Sequence, residues 1–418
     1  MNDPAFMFEK AAAGGFHLMA KPSGPACNLD CSYCFYLEKE ALFGAPAKRR
    51  MSPEILEAYT RALIAATPPD QPVQFTWQGG EPTLLGIPFY ERAIELQRHY
   101  GAGHVIENSF QTNGTLIDAD WARFLAENRF LVGLSLDGPA EIHDRFRRYR
   151  SGAPSHHQVM VGLEHLQRHG VNYNALACVD AHSSQHPLAV YRFLIAHGVE
   201  FIQFTPVIER LAGADYSSAG FDLQGPTPAI DAEVAPFSVR PLAWGQFLSA
   251  IFEEWRQRDV GRVFVMNFEW SLAGLMDAPG VVCVHQKECG RALVVEHDGA
   301  VYSCDHFVYP EYQLGNLTRE PLAAMVDSTR QQEFGQAKHE TLPSQCRSCQ
   351  HLSQCWGGCP KHRFLTTEDG EPGLAYLCEG YTYYLDHVTP WLKALATLIS
   401  SGLDPKAIMT MRVPPALS

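Results

Sequence analysis

The run Cys27-Asn28-Leu29-Asp30-Cys31-Ser32-Tyr33-Cys34 sets three cysteines in a C-x3-C-x2-C spacing near the start of a 418-residue chain. A zinc knuckle would pair C-x2-C with a fourth ligand, and no obvious fourth ligand lies close by in the sequence. A [4Fe-4S] cluster takes four thiolates, so three cysteines would leave one iron open. A fully ligated cluster mainly carries electrons. An open iron beside a pocket is a place to do chemistry. On spacing alone the zinc knuckle remains the alternative.

Around this run the chain alternates strand-like and helix-like segments. Apolar strand candidates fall at 16–21, 73–78, 109–112, 131–136, 173–179 and 201–207. Amphipathic helices are expected at 52–66, 88–99, 118–128, 157–169 and 186–197; Ser52 can cap the first and Pro53 takes its first helical position. Repeated β/α units argue for parallel strands with right-handed crossovers. A complete TIM barrel needs eight units, so the expectation is a partial, six-stranded α/β barrel. The cysteine run follows the first strand, on the carboxyl face where loops carry chemistry.

The second strand ends in Gln78-Gly79-Gly80-Glu81-Pro82, where paired glycines let a ligand approach the backbone closely or simply make a tight turn. With the C-x3-C-x2-C loop and Tyr33 just before its third cysteine, this resembles the radical S-adenosylmethionine (SAM) superfamily. The resemblance implies that Cys27, Cys31 and Cys34 hold a [4Fe-4S] cluster. It implies a SAM site at Tyr33, Gly79, Gly80, Glu81, Ser135, Arg147 and Ile208. Other readings stay open: Glu81 as a solvated turn carboxylate, Arg147 within a solvated basic stretch with Arg145, Arg148 and Arg150, and Ile208 as core.

Eight further cysteines crowd the last third of the chain: Cys283-x5-Cys289, then Gly299 and Cys304, then Cys346-x2-Cys349-x5-Cys355-x3-Cys359, and Cys378. This spacing resembles the cysteine-rich SPASM domain of peptide-modifying radical SAM enzymes. Eight thiolates satisfy two more [4Fe-4S] clusters; two zinc sites are the alternative. By resemblance, Cys283, Cys289, Cys304 and Cys359 hold one cluster, and Cys346, Cys349, Cys355 and Cys378 the other. The last cysteine, Cys178, reads as a core thiol within an apolar strand. The expected organisation is a SAM barrel at 12–240, a helical connector at 241–282 with a helix to about 258, a SPASM domain at 283–385, and a C-terminal helix and tail at 386–418. Residues 209–240 read as a long loop or lid.

The particular match is to anaerobic sulfatase-maturating enzymes, through Cys27 to Leu37, Gly79-Gly80-Glu81-Pro82-Thr83-Leu84, Leu136-Asp137-Gly138-Pro139 and Cys304-Asp305. It implies oxidation of a Cys or Ser in a sulfatase polypeptide, within a Cys/Ser-x-Pro/Ala-x-Arg motif, to Cα-formylglycine. The route would be abstraction of a Cβ hydrogen by a 5′-deoxyadenosyl radical, with electrons from a flavodoxin or ferredoxin. Asp305 matches the family's catalytic aspartate; His306 is the other candidate base. A different SPASM peptide maturase, forming thioether or carbon–carbon crosslinks, is the rival reading.

Composition sets the outer bounds. The formal charge of −13 disfavours nucleic acid as a partner. The first twenty residues lack a basic n-region followed by an apolar stretch, and no apolar run reaches the length of a membrane span. Twelve cysteines without an export signal point to metal or cluster ligation in a reducing cytoplasm rather than to disulfides.

Overall fold

The structure, a computed structural model, describes residues 11–43, 50–218, 220, 222–226, 233–278 and 282–413. Six parallel strands form in chain order: β1 (His17–Lys21), β2 (Val73–Trp77), β3 (Ile106–Thr112), β4 (Leu131–Ser135), β5 (Asn172–Val179) and β6 (Phe201–Pro206). Each pairs with its neighbour in sequence, as short β/α crossovers dictate. Helices Pro53–Ala66, Ile87–Tyr100, Ala119–Glu127, His156–Arg168 and Pro187–Ala196 return the chain between strands. Their starts follow from local chemistry: Ser52 accepts from the Ile55 amide ahead of Pro53, and Asp118 from the Asp120 and Trp121 amides. Between β2 and these helices Phe75, Trp77, Tyr59, Tyr90 and Phe110 pack mostly edge to face, a large buried apolar area fixing the barrel wall.

The sheet does not stop at six strands. β7 (Phe264–Val265) adds in parallel to β6, within the stretch read as a helical connector. On the other edge β8 (Ala292–Glu296) pairs in parallel with β1 over five register positions, from His17↔Ala292 to Lys21↔Glu296. β9 (Ala300–Tyr302) and β10 (Gln313–Asn316) follow in antiparallel. The order is β10-β9-β8-β1-β2-β3-β4-β5-β6-β7. Cysteine-rich loops therefore hang from the barrel's own sheet. β3 starts three residues earlier than its apolar stretch suggests, because Glu107 is exposed and Asn108 is polar though buried, so only Ile106 of the three is apolar. A short helix, Ala140–Phe146, lies beyond β4.

Helix Pro241–Arg258 packs along helix Cys378–Ser400, which begins before Gly380 and spans the expected domain end. They cross at Gly245 and Gly380, where a Cβ on either would run into the other helix's backbone carbonyl. Segment 209–240 is structured where described: Arg210 bridges to Val234, Leu211 to Leu223, and a short helix spans Ala214–Ser218. The rest of that expected loop (219, 221 and 227–232) lies outside the described residues.

Candidate active site

The loop after β1 carries Cys27, Cys31 and Cys34, each half-buried. Burial first, then the Glu81 carboxylate and the Cys34 thiol, pushes the Cys27 thiol up to about 12; burial, opposed by Arg147 and helped by the other two thiols, pushes Cys31 up as well. Three crowded thiols of this kind are costly alone and suit iron, which takes them as thiolates. The Gly-Gly-Glu turn after β2 is clamped to this loop: the Gly80 amide donates to the Gly24 carbonyl and the Glu81 amide to the Ala26 carbonyl, both at 2.8 Å. A Cβ on Gly80 would overlap the Ala26 carbonyl oxygen. Glycine is required there by close approach.

Glu81 is no solvated turn carboxylate. It is fully buried and accepts from the Thr83 amide and hydroxyl, the Thr112 hydroxyl and the Asn113 amide at 2.6–3.0 Å. Burial pushes its pKa up against those bonds. Its carboxylate ties the turn to the end of β3. Asn113 then reaches back to the cluster loop, donating to Asn28 at 2.8 Å and approaching the Cys27 sulfur at 3.8 Å. Asn113 is missing from the site residues expected from sequence, although the run that holds it, Gln111-Thr112-Asn113-Gly114, matches the resembling family where it closes the third strand.

Arg147 is set apart from its neighbours. Arg145, Arg148 and Arg150 are exposed, whereas Arg147 is buried and grips Asp137 with two nitrogens, Nε–Oδ2 at 2.6 Å and Nη2–Oδ1 at 3.1 Å. Burial disfavours both charges, but each holds the other ionised: Asp137 sits below the usual carboxylate range and Arg147 well above its own. Tyr33 donates to the same carboxylate at 2.9 Å. Cys178 is not a plain core thiol: its sulfur lies 3.3 Å from Arg147 Nη2 and borders the cavity described below. Ser135, at the end of β4, accepts from Gln111 Nε2 at 3.2 Å.

The eight downstream thiols separate into two fours. After burial itself, Cys359 and Cys283 push up the Cys289 and Cys304 thiols, and Cys283 pushes up Cys359. In the second group, after burial itself, Cys378 and Cys349 push up the Cys346 thiol, Cys378, Cys346 and Cys349 push up Cys355, and Cys349 pushes up Cys378. Between Cys355 and Cys359 the backbone runs left-handed through Trp356, Gly357 and Gly358 (φ 46°, 67° and 65°). This reversal sends neighbouring cysteines to different groups, at the cost of strain at Trp356. Among the described residues no three ligating side chains close on a point as they would around a single ion; a four-iron cube holds its thiolates farther apart.

Asp305 follows Cys304 and pairs with Lys21, the last residue of β1, at 2.6 Å. Burial raises its pKa, but Lys21, His306 and Lys361 outweigh that and hold it below the usual range, so it is ionised at neutral pH. Lys21 is 1% exposed and also lies over the Tyr36 ring. His306, by contrast, is driven down to about 4 by burial and then by Lys361, and its Nδ1 faces the Cys359 sulfur at 3.4 Å. It is neutral and turned toward a cysteine. Two more buried lysines stand nearby: Lys361 on Glu209 at 2.5 Å, and Lys39 over the Tyr309 ring.

A cavity of about 280 Å³ opens between the strand ends and the cysteine-rich loops. Tyr33, Cys34, Arg147 and Ile208 line its barrel side, and His306, Cys359, Trp270 and Tyr381 its far side. Ile208 is thus both buried and cavity-lining. The thiol set, the Gly80 cradle and the guanidinium fit a cluster with a bound amino acid moiety.

Comparison with known proteins agrees with this geometry. Residues 22–194 match the radical SAM superfamily model, and 283–350 match the SPASM model, an iron–sulfur cluster-binding domain. The chain is 44% identical over 393 residues to the serine-type anaerobic sulfatase-maturating enzyme of Bacteroides thetaiotaomicron, covering 94% of each. It belongs to the anaerobic sulfatase-maturating enzyme family. A cysteine-type family member from Clostridium perfringens is 31% identical, over 91% of this chain and 98% of its own. A solved structure of native anSMEcpe with bound AdoMet and Cp18Cys peptide superposes with a TM-score of 0.79 at 30% identity, over 92% of this chain and all of that one. As a radical SAM sulfatase-maturating enzyme, the protein uses SAM and a [4Fe-4S] cluster, with further iron–sulfur clusters in its SPASM domain. No helix among the described residues is long and apolar enough to cross a membrane.

Proposed function

We propose that the enzyme converts a serine or cysteine of a sulfatase polypeptide to Cα-formylglycine, with Asp305 as the general base. Cys27, Cys31 and Cys34 would hold the SAM-binding cluster, and the two groups of four thiols the two auxiliary clusters. Gly79 and Gly80 would lie against the methionyl moiety of SAM, Arg147 and Ser135 would take its polar groups, and Ile208 would pack on its adenine. Glu81 would act behind the cradle, because both its oxygens are already bonded. When bound, SAM and its cluster would supply radical abstraction of a hydrogen from the substrate Cβ, and an auxiliary cluster would take up the second electron. A flavodoxin or ferredoxin would donate to the first cluster.

The observation that carries the reading is Asp305. Its backbone is fixed by the neighbouring Cys304, its charge by Lys21, and its neighbour His306 faces the cavity. An ionised carboxylate within reach of a substrate hydroxyl or thiol can take its proton. The higher identity to the serine-type relative favours serine as the oxidised residue. Anaerobic incubation with SAM, reductant and paired Ser- and Cys-x-Pro-x-Arg peptides tests this by mass spectrometry. Asp305→Ala should retain iron and SAM binding yet lose about a hundredfold or more in formylglycine formation. Wild-type turnover by that variant would remove Asp305 from the mechanism; zinc in place of iron and sulfide would remove the mechanism itself.

A further inference from the structure

Asp137, in the Leu136-Asp137-Gly138-Pro139 motif after β4, has a buried carboxylate whose acceptor positions are all used. Oδ2 takes Arg147 Nε at 2.6 Å and the Tyr33 hydroxyl at 2.9 Å; Oδ1 takes Arg147 Nη2 at 3.1 Å and the Cys178 amide at 2.8 Å. A carboxylate has about four lone-pair sites, so none is left for a ligand. Asp137 cannot be a binding residue in its own right. Its partners, however, come from separate parts of the cofactor site: Tyr33 from inside the cysteine loop, Arg147 from the end of helix Ala140–Phe146, and Cys178 from the end of β5.

We propose that Asp137 is the positioning residue that couples the cluster loop to the SAM carboxylate site, locking Tyr33 and Arg147 to one anion so that neither moves alone. This rests on the reading of Cys27, Cys31, Cys34 and Arg147 as the cofactor site. A free arginine beside a cavity samples many rotamers; the two-point grip of Asp137 on Nε and Nη2 fixes the guanidinium plane and leaves Nη1 for a second anion. The Tyr33 bond ties that plane to the loop between Cys31 and Cys34, so cluster and cofactor are held in one frame. The backbone anchors the joint from behind: the Asp137 amide donates to His143 Nδ1, and His143 and Arg147 both meet Ser155.

The test uses the anaerobically reconstituted full chain. Asp137→Asn keeps the shape and loses the charge; Tyr33→Phe removes only the arm to the loop. Iron and sulfide are measured with the SAM dissociation constant by equilibrium dialysis, and with the change that SAM produces in the electron paramagnetic resonance spectrum of the reduced protein. Asp137→Asn should keep wild-type iron, bind SAM about 10- to 100-fold more weakly, and lose or alter that spectral change. Tyr33→Phe should alter the spectral change with a smaller loss of affinity. Wild-type affinity and spectrum in both variants would overturn the assignment. So would loss of the first cluster's iron in both, which would make the pair a structural prop. A wild-type chain that loads iron but shows no SAM binding would instead bring down the underlying site reading.

Discussion

At the scale of single residues, the site depends on charges held where water is excluded, and His143 makes the point measurable. Its ring is fully buried, with Nδ1 accepting from the Asp137 amide and Nε2 facing the Ser155 hydroxyl, which itself donates to the Arg147 carbonyl. That pattern needs the neutral ring with its proton on Nε2. Burial drives its pKa down to about 4 from an ordinary 6.5. The unfolded chain therefore binds a proton that the folded one refuses. Stability from this group is complete above about pH 6.5 and drains away as pH falls toward 4, approaching about 3 kcal/mol. His143→Gln, whose amide can copy both bonds without titrating, should match wild type at pH 7 and lose less between pH 6.5 and 4; denaturation midpoints at each pH measure the difference. Little of this was legible in the sequence. The cysteines announce themselves by spacing, but Lys21 meets Asp305, and Lys361 meets Glu209, across hundreds or scores of residues. Only Lys21 left a trace, as a charged residue ending an apolar strand.

At the scale of elements, legibility was much higher, because a strand or helix writes its burial into local periodicity. All six barrel strands form on the expected stretches, β3 reaching three residues further toward its N-terminus, and Ser52-Pro53 opens its helix as capping chemistry requires. What periodicity could not show is adjacency: the two-residue β7 is too short to register, and β8 lies in a stretch read only for its cysteine spacing, with nothing to place it beside β1. Helix contact is likewise invisible until two glycines meet. Gly380→Ala should force helix Cys378–Ser400 away from the Pro241 carbonyl, costing about 1–3 kcal/mol by overpacking. Because Cys378 opens that helix and Tyr381 lines the cavity, the same variant should lose auxiliary-cluster iron more readily than wild type under chelator. Thermal melts and timed iron release check both; unchanged release would show that the crossing and the cluster are independent.

At the scale of the whole molecule, barrel and cysteine-rich loops share one sheet, and β1 lies inside it between β2 and β8. A fragment ending at 282 would strip β8 from β1 and leave an apolar strand edge bare, with Leu18 and Ala20 fully buried in the intact chain. Such edges recruit other chains. The fragment should aggregate rather than yield a soluble barrel, as soluble yield and circular dichroism would report; a folded fragment that binds SAM would refute the shared-sheet argument. The pairing of β1 with β8 also acts as a gauge block. Adjacent strands stand about 4.8 Å apart, so the loop that would start the radical and the strand pair that delivers Asp305 are offset by whole strand spacings. On the proposed reading, the span between hydrogen abstraction and proton removal would be written into hydrogen-bond register, and a peptide would be accommodated by reaching both points.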